Sequence, residues 1–291
     1  MPAVLVTGAA SGIGRATAKR FETEGWDVYA TDVDTDGLDT LTGCRTIPMD
    51  VTDPTAVDRV VDRIRTEAGG LDCLVANAGF LQAGPLEELP ADALARQFEV
   101  NVGGTMRVIR AALPLLRWRG GTVIAVSSTH AHVTTPGMGA YAGSKHALDG
   151  LLDTLRMETA TQSVEVVMVE PAWVSTALSE QSQQELKELD GSQRYRDVYD
   201  TLAAGTLLGG GSLAVSPQRV AATIYDAAIA NAPKARYSVG LPAKAVLATR
   251  WLPQSIQDLG QRVTMRLLAS IHRVRDRAGE WTGLFQTGDA E

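Results

Sequence analysis

Cysteine is almost missing from this chain: Cys44 and Cys73 are the only two in 291 residues, and they form no CxxC pair. That excludes a disulfide framework and a thiolate metal site, and it makes a reducing compartment the expectation. Histidine is hardly more abundant, and His130, His132, His146 and His272 show no zinc-binding spacing. No metal is therefore expected, and the pair flanking Ala131 reads as loop surface. A basic excess is lacking too. The formal net charge is −7 and the pI about 5.2, which excludes nucleic acid as a partner because no surplus cation is available to neutralise phosphates. No run of about 18 apolar residues exists to span a bilayer. The first apolar run, Val4-Leu5-Val6, begins almost at Met1 and passes straight into a glycine turn. That leaves no space for a cleavable signal, and a cytoplasmic location is expected.

What is present is apolar residue in quantity, 45% of the chain, enough for a large core. The length suits one α/β domain with an elaborated loop or tail. Short β-branched runs at Val4–Thr7, Asp27–Asp32, Arg45–Met49, Asp72–Val75, Thr122–Ser127 and Val164–Glu170 alternate with helical patterns near 12–24, 54–67, 91–118 and 141–161. A further short strand is expected at Arg236–Val239. Alternation of this kind predicts a single doubly wound, Rossmann-type domain over residues 1–240, with a parallel sheet of about seven strands. After Thr176 the rhythm breaks, and residues 177–215 read as a long substrate lid. Residues 241–291 read as a helical extension packed on the same domain, with Ile256, Leu259, Val263, Leu267, Ile271 and Val274 at three- and four-residue steps.

Thr7-Gly8-Ala9-Ala10-Ser11-Gly12-Ile13-Gly14 joins the first strand to the first helix. Glycines let such a turn approach a pyrophosphate, whose charge then rests on the helix N-terminus. The second strand ends at Asp32, 18 residues after Gly14. A carboxylate there accepts from ribose hydroxyls and repels a 2′-phosphate, which favours NAD over NADP. Asp50-Val51 and Asn77-Ala78-Gly79 follow the third and fourth strands, at the strand ends where open sheets bind ligands. Tyr141 and Lys145 stand four apart at the start of a helical pattern and so share a face. An ammonium nearby favours the phenolate and brings tyrosine toward acid/base duty. Ser127-Ser128 closes the preceding strand, where a hydroxyl can hydrogen-bond a substrate carbonyl.

In this order the motifs resemble those of a classical short-chain dehydrogenase/reductase, over roughly residues 3–240. Thr7–Gly14 matches that family's TGxxxGxG turn, Asn77-Ala78-Gly79 its NAG motif, and Tyr141 with Lys145 its YxxxK. Ser128, 13 residues before Tyr141, matches the catalytic serine, and Asn101 the fourth catalytic position. The resemblance implies a proton exchanged by Tyr141, a nicotinamide ribose held by Lys145, a carbonyl or alcohol positioned by Ser128, and a relay water held by Asn101. It also implies a nicotinamide amide met by Pro171, Val174 and Thr176, and a homodimer or homotetramer through the helices near 91–118 and 141–161. Ala172 stands where the family usually has glycine after the proline, and Ala131 where glycine often follows the serine.

Candidate substrate-wall residues are Phe80, Leu81, Thr129, His130 and Trp173, with Leu178, Tyr195, Tyr199 and Leu202 from the lid. The mix is apolar and aromatic without an arginine clamp, so a small lipophilic alcohol or ketone is expected. The tail around Arg236–Gly240 and Leu252-Pro253 resembles hydroxysteroid- and retinol-dehydrogenase-like members. Arg262, Arg266, Arg273, Arg275 and Arg277 run beside its apolar stripe, so contact with a membrane surface stands beside packing on the domain or on another subunit. The expected activity is NAD-dependent interconversion of a secondary alcohol and a ketone or aldehyde. The alternative is a non-catalytic NAD sensor or scaffold on the same fold.

Overall fold

The computed structural model describes residues 1–174, 186, 191–204 and 214–286, with the side chains of the last helix described as far as residue 271. In chain order run β1 (Ala3–Thr7), α1 (Gly12–Thr23), β2 (Asp27–Asp32), α2 (Thr35–Leu38), β3 (Arg45–Pro48), α3 (Pro54–Ala68), β4 (Cys73–Ala76) and α4 (Ala91–Phe98). A π-turn (Glu99–Gly104) leads to α5 (Thr105–Arg119), β5 (Thr122–Val126), a 3₁₀ turn (Thr129–Ala131), α6 (Gly139–Thr159) and β6 (Glu165–Pro171). The remainder holds α7 (Arg196–Ala203), α8 (Pro217–Ala228), β7 (Arg236–Val239), α9 (Gly240–Ala248) and α10 (Gln254–Gln286).

The strands pair in the order β3-β2-β1-β4-β5-β6-β7, every neighbour parallel. Each residue of β1, β4 and β5 is buried, because helices cover both faces and leave a strand no solvated side. On one face Ala18 and Phe21 of α1 and Val220 and Ile224 of α8 pack against Val4, Val28 and Val167. On the other, α3, α5 and α6 bring Val57, Ile64, Ile109, Leu116, Leu148 and Leu152 onto Leu5, Leu74 and Val123. Local signals set the helix starts: the Asp53 carboxylate accepts from Thr55 N ahead of Pro54, and the Ser216 hydroxyl accepts from Arg219 N ahead of Pro217.

Each strand lies within one residue of its sequence expectation at either end. The pattern near 91–118 is helical throughout but not regular. It splits into α4 and α5 around the π-turn, where an extra residue per turn shifts Asn101 inward and buries it. The tail is helical, but the apolar stripe is not its buried face. α10 lies along α7, burying Met265 and Ala269, and the Thr201 hydroxyl donates to Met265 O at 3.2 Å. The stripe Ile256, Leu259, Val263, Leu267 and Ile271 faces solvent instead. Glutamines and threonine share α10 with the apolar residues, so either face could be turned inward, and tertiary contact with α7 decides which.

Candidate active site

A cleft of about 920 Å³ opens along the carboxyl ends of the strands. The strand order reverses direction beside β1, whose neighbours are β2 and β4, and that is where an open sheet forms a crevice. The β1–α1 turn makes its floor. Gly8 adopts φ +67° and Gly12 φ +51°, conformations that cost a glycine little. A Cβ on Gly14 would lie 1.9 Å from Gly8 O, so the helix starts where only a hydrogen side chain fits. Asn77 clamps the turn from β4: its Nδ2 donates to Thr7 O and Gly8 O, both at 3.0 Å. The Thr7 hydroxyl accepts from the backbone N–H groups of Asn77 and Ala78, also at 3.0 Å.

Asp32 lies at the far end of this floor. Its carboxylate accepts from Ala10 N at 2.9 Å and from Asp34 N at 3.1 Å, which aims it at the turn. Asp34, Asp50, Val51 and Thr52 line the same end. Among the described residues the cations on the cleft wall are Arg96 and Lys145, which stand with Phe80 and Tyr141 at the other end. Arg15, closest to the glycine turn in sequence, is engaged with Ala10 O at 2.8 Å.

At that other end the structure gathers Ser128, Tyr141, Lys145 and Asn101, from three different segments, into one wall. Lys145 is buried and its ammonium donates to Val126 O at 2.8 Å, 5.7 Å from the centre of the Tyr141 ring. Burial pulls it down to about 8. Burial likewise pushes the Tyr141 phenol above its ordinary value, with the hydrogen-bonded Ser128 hydroxyl pulling the other way. In the protein alone, then, burial outweighs the effect expected of Lys145 on Tyr141. Asn101 grips the β4–α4 loop: Oδ1 accepts from Phe80 N and Nδ2 donates to Phe80 O, both at 3.0 Å, and to the Ser144 hydroxyl at 3.2 Å.

The remaining expected residues divide. Ser11, Gly12, Ile13, Ala78, Gly79, Phe80, Leu81, His130, Pro171, Trp173 and Val174 line the cleft. Thr176 and Leu178 lie outside the described residues, as does most of the expected lid. Thr129 is buried at the start of the 3₁₀ turn, away from the wall. Tyr195 and Tyr199 are not on the wall either: their hydroxyls donate to Glu87 and Glu88, tying α7 to the β4–α4 loop. Leu202 joins Leu81 and Met138 in an apolar cluster against Tyr141. Ala172 is free of left-handed strain, since Ser163 is the non-glycine residue with positive φ among those described.

The histidine pair is not loop surface. His130 stands edge-on to Tyr141 with centroids 5.8 Å apart, and burial, then His146, push it down to about 4. His132 Nε2 lies 2.9 Å from Glu170 Oε1. Glu170 belongs to a cluster that sequence reasoning missed: Arg236 of β7 donates to Asp149 at 2.6 Å, Asp153 at 2.6 Å and Glu170 at 2.9 Å. His132, Asp149 and Glu170 converge closely enough to resemble a metal cluster, but the Arg236 guanidinium bridges the two acids and is the cation they hold. No local pattern announces it, because its members come from a loop, a helix and two strands.

A family model described as short chain dehydrogenase matches residues 2–187. The NADPH-dependent 3-dehydrocapnine reductase of Ornithobacterium rhinotracheale is 32% identical over 251 residues, covering 81% of this chain and 87% of that protein. A short-chain dehydrogenase from Streptomyces avermitilis superposes with TM-score 0.74 at 28% identity, covering 99% of this chain and 98% of the other. A short-chain dehydrogenase/reductase from Burkholderia phymatum, solved with NAD, superposes with TM-score 0.73 at 26% identity over 89% of this chain and 95% of the other.

Proposed function

The chain belongs to the short-chain dehydrogenase/reductase family, and from that premise we propose that it is an NAD(H)-dependent oxidoreductase interconverting a lipophilic secondary alcohol and its ketone or aldehyde, with Tyr141 as the general acid/base. The family's activity is oxidoreduction with a nicotinamide dinucleotide. NAD, the substrate class and the roles of individual residues are our reading.

The cleft fits such a cofactor. Gly8 and Gly14 leave space that any Cβ would fill, and Ser11–Ile13 present the start of α1 to a pyrophosphate. Asp32 would take the adenosine ribose, Asn77–Gly79 the middle of the molecule, and Lys145, Pro171 and Val174 the nicotinamide end. Three acids and no cation at the Asp32 end, among the described residues, oppose a 2′-phosphate. NADPH dependence belongs to the relative that carries it in its name. When bound, the dinucleotide supplies or accepts the hydride.

The chain's own residues handle the proton. Tyr141 gives its phenol proton to the carbonyl oxygen in reduction and takes the hydroxyl proton in oxidation. Ser128 donates to the same substrate oxygen and stabilises its negative charge as it develops. Lys145, held on Val126 O, faces Tyr141 with a positive charge that favours the phenolate. Asn101 keeps the Phe80 loop and the start of α6 in fixed relation, and the water it is proposed to hold would link Lys145 to solvent. Phe80, Leu81, Met138 and Trp173 make the substrate end apolar.

The carrying observation is the convergence of Ser128, Tyr141, Lys145 and Asn101 at one end of a dinucleotide-sized cleft. The test is NAD reduction over a panel of secondary alcohols, steroids and retinoids. Tyr141→Phe is expected to lower turnover by about 10²–10⁴ with NAD affinity unchanged, and Asp32→Ala to erode the preference for NAD over NADP in kcat/KM. Tight NAD binding with no turnover on any substrate would favour a sensor; undiminished turnover in Tyr141→Phe would remove the mechanism.

A further inference from the structure

The outward stripe of α10 has no covering among the described residues. Ile256, Leu259, Val263, Leu267 and Ile271 are between 51 and 62% exposed, while Met265 and Ala269, on the opposite side of the helix, are buried against α7. The turn entering the helix exposes Trp251 and Leu252, and the Arg250 guanidinium sits 4.7 Å over the Trp251 ring. A soluble monomer seldom leaves so continuous an apolar strip to water. Arg262 and Arg266 lie along one flank of it, both exposed.

Charge identifies the occupant. From Lys244 to Arg277 the sequence carries seven cations against two acids, Asp258 and Asp276, in a chain whose formal net charge is −7. A local excess of positive charge thus runs through the stretch of sequence that carries the apolar strip, with Arg250, Arg262 and Arg266 against Asp258 from Arg250 to Ile271. A second copy of the chain would bring that surplus against itself, whereas an anionic lipid surface meets both features at once: headgroups for the arginines and acyl chains for the strip. A tryptophan beside an arginine at the start of the helix suits the headgroup level.

We propose that α10 attaches the protein to anionic bilayers, lying in the plane of the surface with Ile256, Leu259, Val263, Leu267 and Ile271 in the acyl boundary. The attachment has a consequence for the cleft. α10 rests on α7 through Met265, and α7 contributes Leu202 to the cluster with Leu81 and Met138, which line the cleft beside Tyr141. The apolar end of the cleft is therefore two packing layers from the lipid. Binding itself does not depend on the reaction proposed above.

Co-sedimentation of the full chain with vesicles of phosphatidylglycerol and phosphatidylcholine, against vesicles of phosphatidylcholine alone, tests this directly. Binding is expected to the anionic vesicles, to fall with salt, and to fall roughly thirtyfold in Arg262→Gln/Arg266→Gln. Val263→Asp/Leu267→Asp should abolish it. Both pairs are exposed, so the melting temperature serves as the control for folding. No sedimentation with anionic vesicles, or sedimentation indifferent to both variants, overturns the proposal. So does a dimer in sedimentation velocity that the aspartate pair dissociates without any vesicle binding, which would make the strip a subunit contact.

Discussion

At the scale of single residues, the buried end of the cleft drives Tyr141 and Lys145 toward their uncharged forms, the phenol upward and the ammonium down to about 8. The sign of the consequence follows from proton linkage. The folded value of Lys145 lies below its ordinary 10.5, so between pH 8 and 10.5 the unfolded chain binds the extra proton and the native state gains stability as pH rises. Below pH 8 the cost of holding the ammonium in the interior is present in full. Relative to Lys145→Met, the wild-type protein should gain roughly 3 kcal/mol across that window in denaturant titrations. A difference that stays flat would mean that water reaches the ammonium. Above pH 10 Tyr141 acts in the opposite sense, since the folded state keeps a phenol proton that the unfolded chain releases.

At the scale of elements, Asn101 shows what a π-turn is for. Its amide satisfies both the N–H and the C=O of Phe80 and reaches Ser144 on α6, so one side chain joins three segments around the cleft. Asn101→Ala should therefore destabilise the fold by about 1–2 kcal/mol, the cost of leaving Phe80 N without its partner while Phe80 O keeps Gln97 Nε2 at 2.7 Å. Chemical denaturation measures this; a loss below about 0.5 kcal/mol would show that water replaces the amide. The strands and the long helices were legible in the sequence because burial on both faces writes an apolar run into each strand, and caps such as Asp53-Pro54 and Ser216-Pro217 are local. The glycine turn, Asn77 and Ser128 were legible because each follows a strand end, and Tyr141 and Lys145 because their four-residue spacing sets them on one helix face. The π-turn was not, since an extra residue in a helix leaves no signature until Phe80 packs against it. Nor was the orientation of α10, whose two faces differ less in sequence than in what α7 offers them. Tyr195 and Tyr199 look like pocket residues in sequence, but Glu87 and Glu88, more than a hundred positions away, hold their hydroxyls.

At the scale of the whole molecule, Arg236 ties β7 to the rest. Its guanidinium meets Asp149 and Asp153 of α6 and Glu170 of β6, and Glu170 in turn holds His132 beside the Ser128 turn. Arg236→Met should cost about 3–5 kcal/mol, because it strands Asp149 and Glu170 where both are largely shielded from water. Calorimetry would check this, and a melting temperature within a degree of wild type would mean that the acids find solvent. The strand order carries a consequence for how the chain assembles. β1 is made first and lies inside the sheet; β2 and β3 extend it one way, then β4, β5, β6 and β7 the other. Every strand therefore joins an open edge, and none has to be threaded between two already paired. Residues 3–76 encode four contiguous strands before β5 exists, so the sheet can grow in the direction of synthesis, and once β3 is in place each partial product differs from the finished one by strands missing from a single margin.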